Sequence, residues 1–148
     1  MSPTTPGLGN AAQIEALADQ MSLAADAIHK RVMHDIGAYN GGPVSEQDQG
    51  IARALLEDEI LLRQRANGLY AQAATYVVQS LAVSQQTLMQ LTADATEKIR
   101  KIDRIAAVAG VAGALLRLAG AVATGNPVPI VAAIERLSKQ VKVAKATE

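Results

Sequence analysis

Between Pro43 and Pro127 the chain contains no proline. Proline removes a backbone donor and clashes with the preceding turn, so this gap leaves helix free to propagate over more than half of the molecule. Within it, Leu55, Leu62, Leu69, Tyr76 and Val83 recur every seven positions, with Ala52, Ala66, Ala73 and Ser80 offset by four. Large residues beside small ones at that period make a heptad seam that a second helix can approach closely. The register slips near Ser84 and resumes at Leu88, Leu91, Ala95, Ile99 and Ile102. Such a slip alters supercoiling without ending a helix. The pattern predicts one very long central helix from Glu46 to about Arg104, a rod of about 85 Å at 1.5 Å per residue, or the same rod folded back between Val83 and Leu91.

Upstream, residues 1–9 carry two prolines and two glycines, and disorder is expected there. Asn10 and Gln13 stand at the capping-box spacing, in which each side chain serves a free backbone N–H of the other. Ile14, Leu17, Met21, Ala24 and Ile28 follow in alternating steps of three and four, predicting a first helix over 11–36 that closes at Gly37. A glycine-rich turn ends at Pro43, after which Ser45, three residues before Asp48, caps the next helix. Beyond Arg104 the pattern predicts a helix over 105–123, a turn at 124–127 and a last helix over 128–145. The expected fold class is all-α: an elongated helical hairpin or bundle with one very long central helix and a C-terminal apolar helical hairpin. Its expected parts are 1–9, 10–104 and 105–148.

Composition shapes how such helices can be held together. Hydrophobic residues make up 49% of the chain, yet there is no Phe or Trp and only three Tyr. Small side chains bury little area each at roughly 25 cal/mol per Å². Close helix approach or self-association is therefore the expected source of stability, with Leu55, Leu62, Leu69, Tyr76 and Val83 as the self-association seam. The absence of cysteine excludes disulfides and thiolate metal sites. The first ten residues lack the basic and apolar regions of a signal peptide. Cytoplasmic residence is the expected default, with membrane association or export without a cleavable signal peptide left open.

A formal charge of zero conceals a split: residues 1–97 hold eleven acids and five bases, and residues 98–148 hold nine bases and three acids. Such asymmetry favours head-to-tail self-association or attraction of the basic part to an anionic surface, while two solvated faces that merely differ are the plain alternative. The basic flank is Lys98, Arg100, Lys101 and Arg104 on one side of the apolar stretch and Arg136, Lys139 and Lys142 on the other.

That stretch, residues 105–123, is apolar on all sides apart from Arg117. A helix of this kind is buried in protein or in lipid. Gly110, Gly113 and Gly120 lie among alanines as in close-packed membrane helix pairs. Nineteen residues just suffice to span a hydrocarbon core. Arg117 in the second half costs several kcal/mol there unless paired or snorkelling. A conditionally inserting hairpin with Ile105, Gly110, Gly113, Leu116, Arg117 and Gly120 on its first arm is one reading, since bases at both ends keep both on one side of a membrane. The other is a hairpin buried against a helical protein partner.

Chemistry-bearing motifs are sparse. Nucleophile signatures, phosphate loops and Gly-rich fingerprints are absent, so no enzyme and no cofactor are expected. Asp26 stands one turn before His29, the spacing used in carboxylate-bridged metal bundles, but the motif occurs once and Glu57, Asp58 and Glu59 read as a solvated acidic turn; no metal site is expected. The basic tail lacks aromatic stacking partners, which argues against nucleic acid. Leu69, Tyr70, Ala82, Val83, Gln85, Gln86, Ala95 and Thr96, within residues 68–96, resemble the middle of bacterial refractile-body (R-body) structural proteins. That resemblance implies a cytoplasmic protein that polymerises into coiled ribbons able to extend and rupture membranes. The expected function is a non-enzymatic, self-associating homo-oligomer that brings an apolar hairpin to an anionic membrane or a neighbouring subunit. The alternative is a soluble helical adaptor, chaperone or secretion accessory subunit.

Overall fold

The structure is a computed structural model that describes residues 6–38, 45–73, 77–78 and 81–146. Helix α1 (Ala11–Ala38) starts where the Asn10 side chain accepts from the Gln13 N–H at 2.9 Å. The reciprocal half of the box is displaced by one residue: Gln13 Oε1 accepts from Gly9, at 2.7 Å, rather than from Asn10. Ile14, Leu17, Met21, Ala24, Ile28 and Val32 form a fully buried stripe along α1. Helix α2 (Glu46–Gln72) is capped by Ser45, whose Oγ accepts from the Asp48 N–H. It buries Leu55, Glu59, Leu62, Ala66 and Leu69.

The all-α fold class holds, but the single long rod does not form. Helix α2 stops at Gln72, and helix α3 (Gln85–Lys101) begins only after a fresh cap, with Ser84 Oγ accepting from the Thr87 N–H at 3.1 Å. Between them Val77 and Val78, β-branched and poor in helix propensity, lie in non-helical backbone. The break is stabilised by a segment distant in sequence. The Val78 N–H donates to Leu8 O at 2.8 Å, the Gly7 N–H to Val83 O at 2.9 Å, and the Leu8 N–H to Gln85 Oε1. Residues 6–9, expected to be disordered, thus form a strap. Leu8 is fully buried beneath it at a φ of 58°, a conformation that a bulky residue adopts only when its surroundings hold it there.

Helix α4 (Ile105–Thr124) ends at Gly125, whose φ of 74° is the left-handed closure that glycine adopts without a Cβ penalty. Helix α5 (Pro127–Ala146) follows at once, with Asn126 Oδ1 accepting from the Val128 N–H and proline in the first helical position. Among the described residues the five helices run alternately up and down: Arg63 to Asp26 and Tyr70 to Asp19 set α2 antiparallel to α1, and Gln85 to Gln13 with Arg31 to Ile99 set α3 parallel to α1. α1 packs on α2 and α3, α2 also on α4, and α5 closes against α3 and α4. The carboxyl ends of α1, α3 and α5 therefore share one end of the bundle. Helix α4 touches every other helix and buries Val108, Val111, Leu115, Leu118 and Val122.

Candidate functional site

The seam residues are covered within the single chain. Leu55 and Leu62 are 0% exposed and Leu69 is 1% exposed, in the core that α2 shares with its neighbours. Val83 is half-buried in the α2–α3 connection, and Tyr76 lies outside the described residues. Around Leu55, Leu62 and Leu69 the contacts of α2 are made with α1 and α4 of the same chain.

The polar face of the α1–α2 contact was not foreseen. Glu59, read as part of a solvated acidic turn, is 8% exposed. It accepts from Arg63 Nε and pairs with His29 Nδ1, both at 2.9 Å, while Arg63 also reaches Asp26 at 2.8 Å. Hydrogen bonds to Asp26 and then to Glu59 raise the Arg63 pKa. Tyr70 donates to Asp19, and that bond raises the phenol's pKa. The missed signal was positional: Glu59 falls four residues after Leu55 and three before Leu62, on the buried stripe itself. Asp26 and His29 thus serve α2 instead of each other, and among the described residues no three His, Asp or Glu side chains gather as a metal would require.

A second cross-link sits where the basic residues collect. Arg31, with a side chain 9% exposed, grips both Asp35 oxygens and donates to the carbonyls of Ile99 and Asp103, at 3.0 Å each. Free carbonyls at a helix end carry partial negative charge, so a guanidinium there both satisfies and neutralises them. Beside it lies an open groove of about 440 Å³ that includes Lys30, His34, Arg100 and Lys101. On the other side of α3, Lys98, Lys101 and Lys142 line a groove of about 460 Å³ between α3 and α5. Glu97 pairs with Lys101 and Arg100, in that order of effect, which lowers its carboxyl pKa. Lys142 of the second basic flank is thereby brought beside Lys98 and Lys101 of the first, near the start of α4, whereas Arg136 lies further along the hairpin.

The hairpin residues divide. Ile105 and Leu116 are half-buried and Arg117 is exposed, outside the core. Gly110 lies tight against α5: a Cβ there would come 2.9 Å from Gln140 Oε1. Gly113 and Gly120 face open space, so close packing inside the chain explains only one of the three glycines. Arg117 and Arg136 face one cleft of about 280 Å³ between α4 and α5. In comparisons with known protein families, curated proteins and solved structures, nothing matches the chain.

Proposed function

We propose that the protein is a non-enzymatic helical bundle that docks on an anionic membrane by its basic end and then presents the α4–α5 hairpin to lipid. One observation carries the reading: the span-length apolar helix α4, of mean hydropathy 2.0 over its most apolar window, begins at the end where Lys98, Arg100, Lys101 and Lys142 converge. Anionic headgroups attract such a cluster by about 1 kcal/mol per base near the surface. Self-association in this reading is head-to-tail, acidic α1–α2 surface to basic α3–α5 surface, since the heptad seam is already covered. Ribbon formation, which the refractile-body resemblance implies, belongs to the same reading and is checked by electron microscopy of the purified protein.

The test is co-sedimentation with phosphatidylglycerol–phosphatidylcholine vesicles. Binding is expected at low salt, with loss as ionic strength shortens the screening length, and loss in a Lys101→Glu, Lys139→Glu, Lys142→Glu triple variant. Because the chain has no cysteine, Ala123→Cys can carry an environment-sensitive dye, and a blue shift on those vesicles reports insertion of α4. Salt-insensitive binding, or none, refutes the proposal.

The second reading, a soluble adaptor, is favoured by the enclosure of Val111, Leu115 and Leu118, each 0% exposed within the single chain. A sharp small species on size exclusion, unchanged by detergent, together with a dye that stays in water, supports it.

A further inference from the structure

We propose that the cleft between α4 and α5 is a binding site for a phosphate group, with Arg117 and Arg136 as its two cationic arms. The cleft has a volume of about 280 Å³ and is lined by Arg117, Arg136 and Gln140 together with Ala109, Gly110, Gly113 and Ala114. No carboxylate lines it. Among the described residues neither arginine has an ion-pair partner, a condition that Arg53, Arg65 and Arg104 share and that Arg31, Arg63 and Arg100 do not; what sets Arg117 and Arg136 apart is that both line one cleft. The guanidinium fork matches phosphate oxygens in pairs, and two forks facing one space on antiparallel helices can hold a single tetrahedral anion from both sides.

Glycines supply the depth. At Gly113 a Cβ would meet nothing within 4 Å, so the fold does not exclude a side chain there, yet glycine in a helix interior costs roughly 1 kcal/mol relative to alanine. Uncovered glycines alone do not mark a site, since Gly68 in α2 is equally open. The conjunction with two unpaired guanidinium groups distinguishes this one. The cleft also lies midway along the hairpin, away from the helix carboxyl ends whose partial negative charge would oppose an anion.

A phospholipid headgroup and free inorganic phosphate share this chemistry. The lipid source rests on the membrane reading above, whereas the site itself does not. Arg117 is the one charge that opposes burial of α4 in a bilayer, and a headgroup phosphate drawn into the cleft would neutralise it.

The arginine Nε–H resonances of the intact protein are followed by NMR during titration, first with inorganic phosphate and then with short-chain phosphatidylglycerol below its micelle concentration. Saturable shifts confined to Arg117 and Arg136 are expected. At least a tenfold loss of affinity is expected in Gly113→Leu, which fills the cleft from a position with room for it, with the thermal midpoint equal or higher, and in Arg117→Gln with Arg136→Gln, with the thermal midpoint unchanged. Shifts spread evenly over the basic residues, lack of saturation, or full affinity in folded Gly113→Leu overturns the site. Saturation by phosphate alone keeps the site and assigns it a free ligand. Vesicle binding without saturation at these arginines keeps the membrane reading and removes the site.

Discussion

The α1–α2 pair and the α4–α5 hairpin are both antiparallel helix pairs, but they are held by different means. Across α1–α2, large apolar side chains pack beneath a row of polar links: Tyr70 to Asp19, Arg63 to Asp26 and Glu59, and Glu59 to His29. Each link has one geometry, so together they fix register and rotation. Across α4–α5 the contact is made by Ala, Val, Leu and Ile, and among the described residues no ion pair joins the two helices. Dispersion and apolar burial are strong in sum but not directional. The first pair is built to stay in one arrangement, and the second can separate without stranding a buried charge. The proposed delivery of the hairpin to lipid would use that division.

The largest test of the difference is in the two cores. Leu62→Ala, in α2, is expected to cost about 3 kcal/mol in urea unfolding, because the linked helices cannot close over the cavity. Leu137→Ala, in α5 and equally buried, is expected to cost about 2 kcal/mol, since the unlinked hairpin can shift into the space. Equal losses would break the contrast. Next comes Arg31→Ala, which removes a guanidinium shared by Asp35, Ile99 and Asp103. About 2 kcal/mol is expected, read as faster hydrogen exchange through the last turn of α3 and the start of α4. Exchange that accelerates evenly over the molecule would mean that Arg31 does not anchor the hairpin to α1.

Gly120→Ala sharpens the comparison from the other side. Gly120 sits in helical backbone with open space where a Cβ would go, so alanine is expected to stabilise the protein by about 0.5–1 kcal/mol. A loss of stability would show that α4 has a close neighbour on that face in solution.

Local signals in the sequence were legible where partner and effect lie within one turn. Asn10 with Gln13 and Ser45 with Asp48 each marked a helix start that the structure places within a residue or two, whereas Gly37, read as the close of the first helix, lies inside α1, which runs to Ala38. The apolar character of α4 was legible as a choice between burial in protein and in lipid; the bundle buries one face of it, Val108, Val111, Leu115, Leu118 and Val122, while Arg117 stays exposed. The end of α2 was not. Tyr76 and Val83 continue the seam period, and intrinsic propensity in a Val-Val pair is a weak prior beside it. What decides the break is a strap from Pro6–Gly9, about seventy residues away in sequence, and no local pattern encodes a nonlocal hydrogen bond. The α4–α5 cleft was half legible. Gly113 and Arg117 stood out within their helix, but Arg136 and Gln140 joined them only when α5 folded back.

The smallest expected effect concerns a carboxylate that the better-linked pair does not satisfy. Asp58, on α2, has its pKa raised, first by burial and then by the adjacent Glu57 charge. A raised carboxyl pKa means that folding favours the protonated form. Its contribution to stability is therefore fully present below the unfolded value of about 3.9 and is lost as pH rises through the higher folded value. At pH 7 the ionised group opposes folding slightly, so Asp58→Asn is expected to raise the thermal midpoint at pH 7 and to leave it unchanged at pH 3.5. The difference between variant and parent at each pH isolates this group from the rest of the molecule. A variant less stable than its parent at pH 7 would show that the ionised Asp58 serves as another link of α2, and the polar row would then extend further than the Tyr70, Arg63 and Glu59 links.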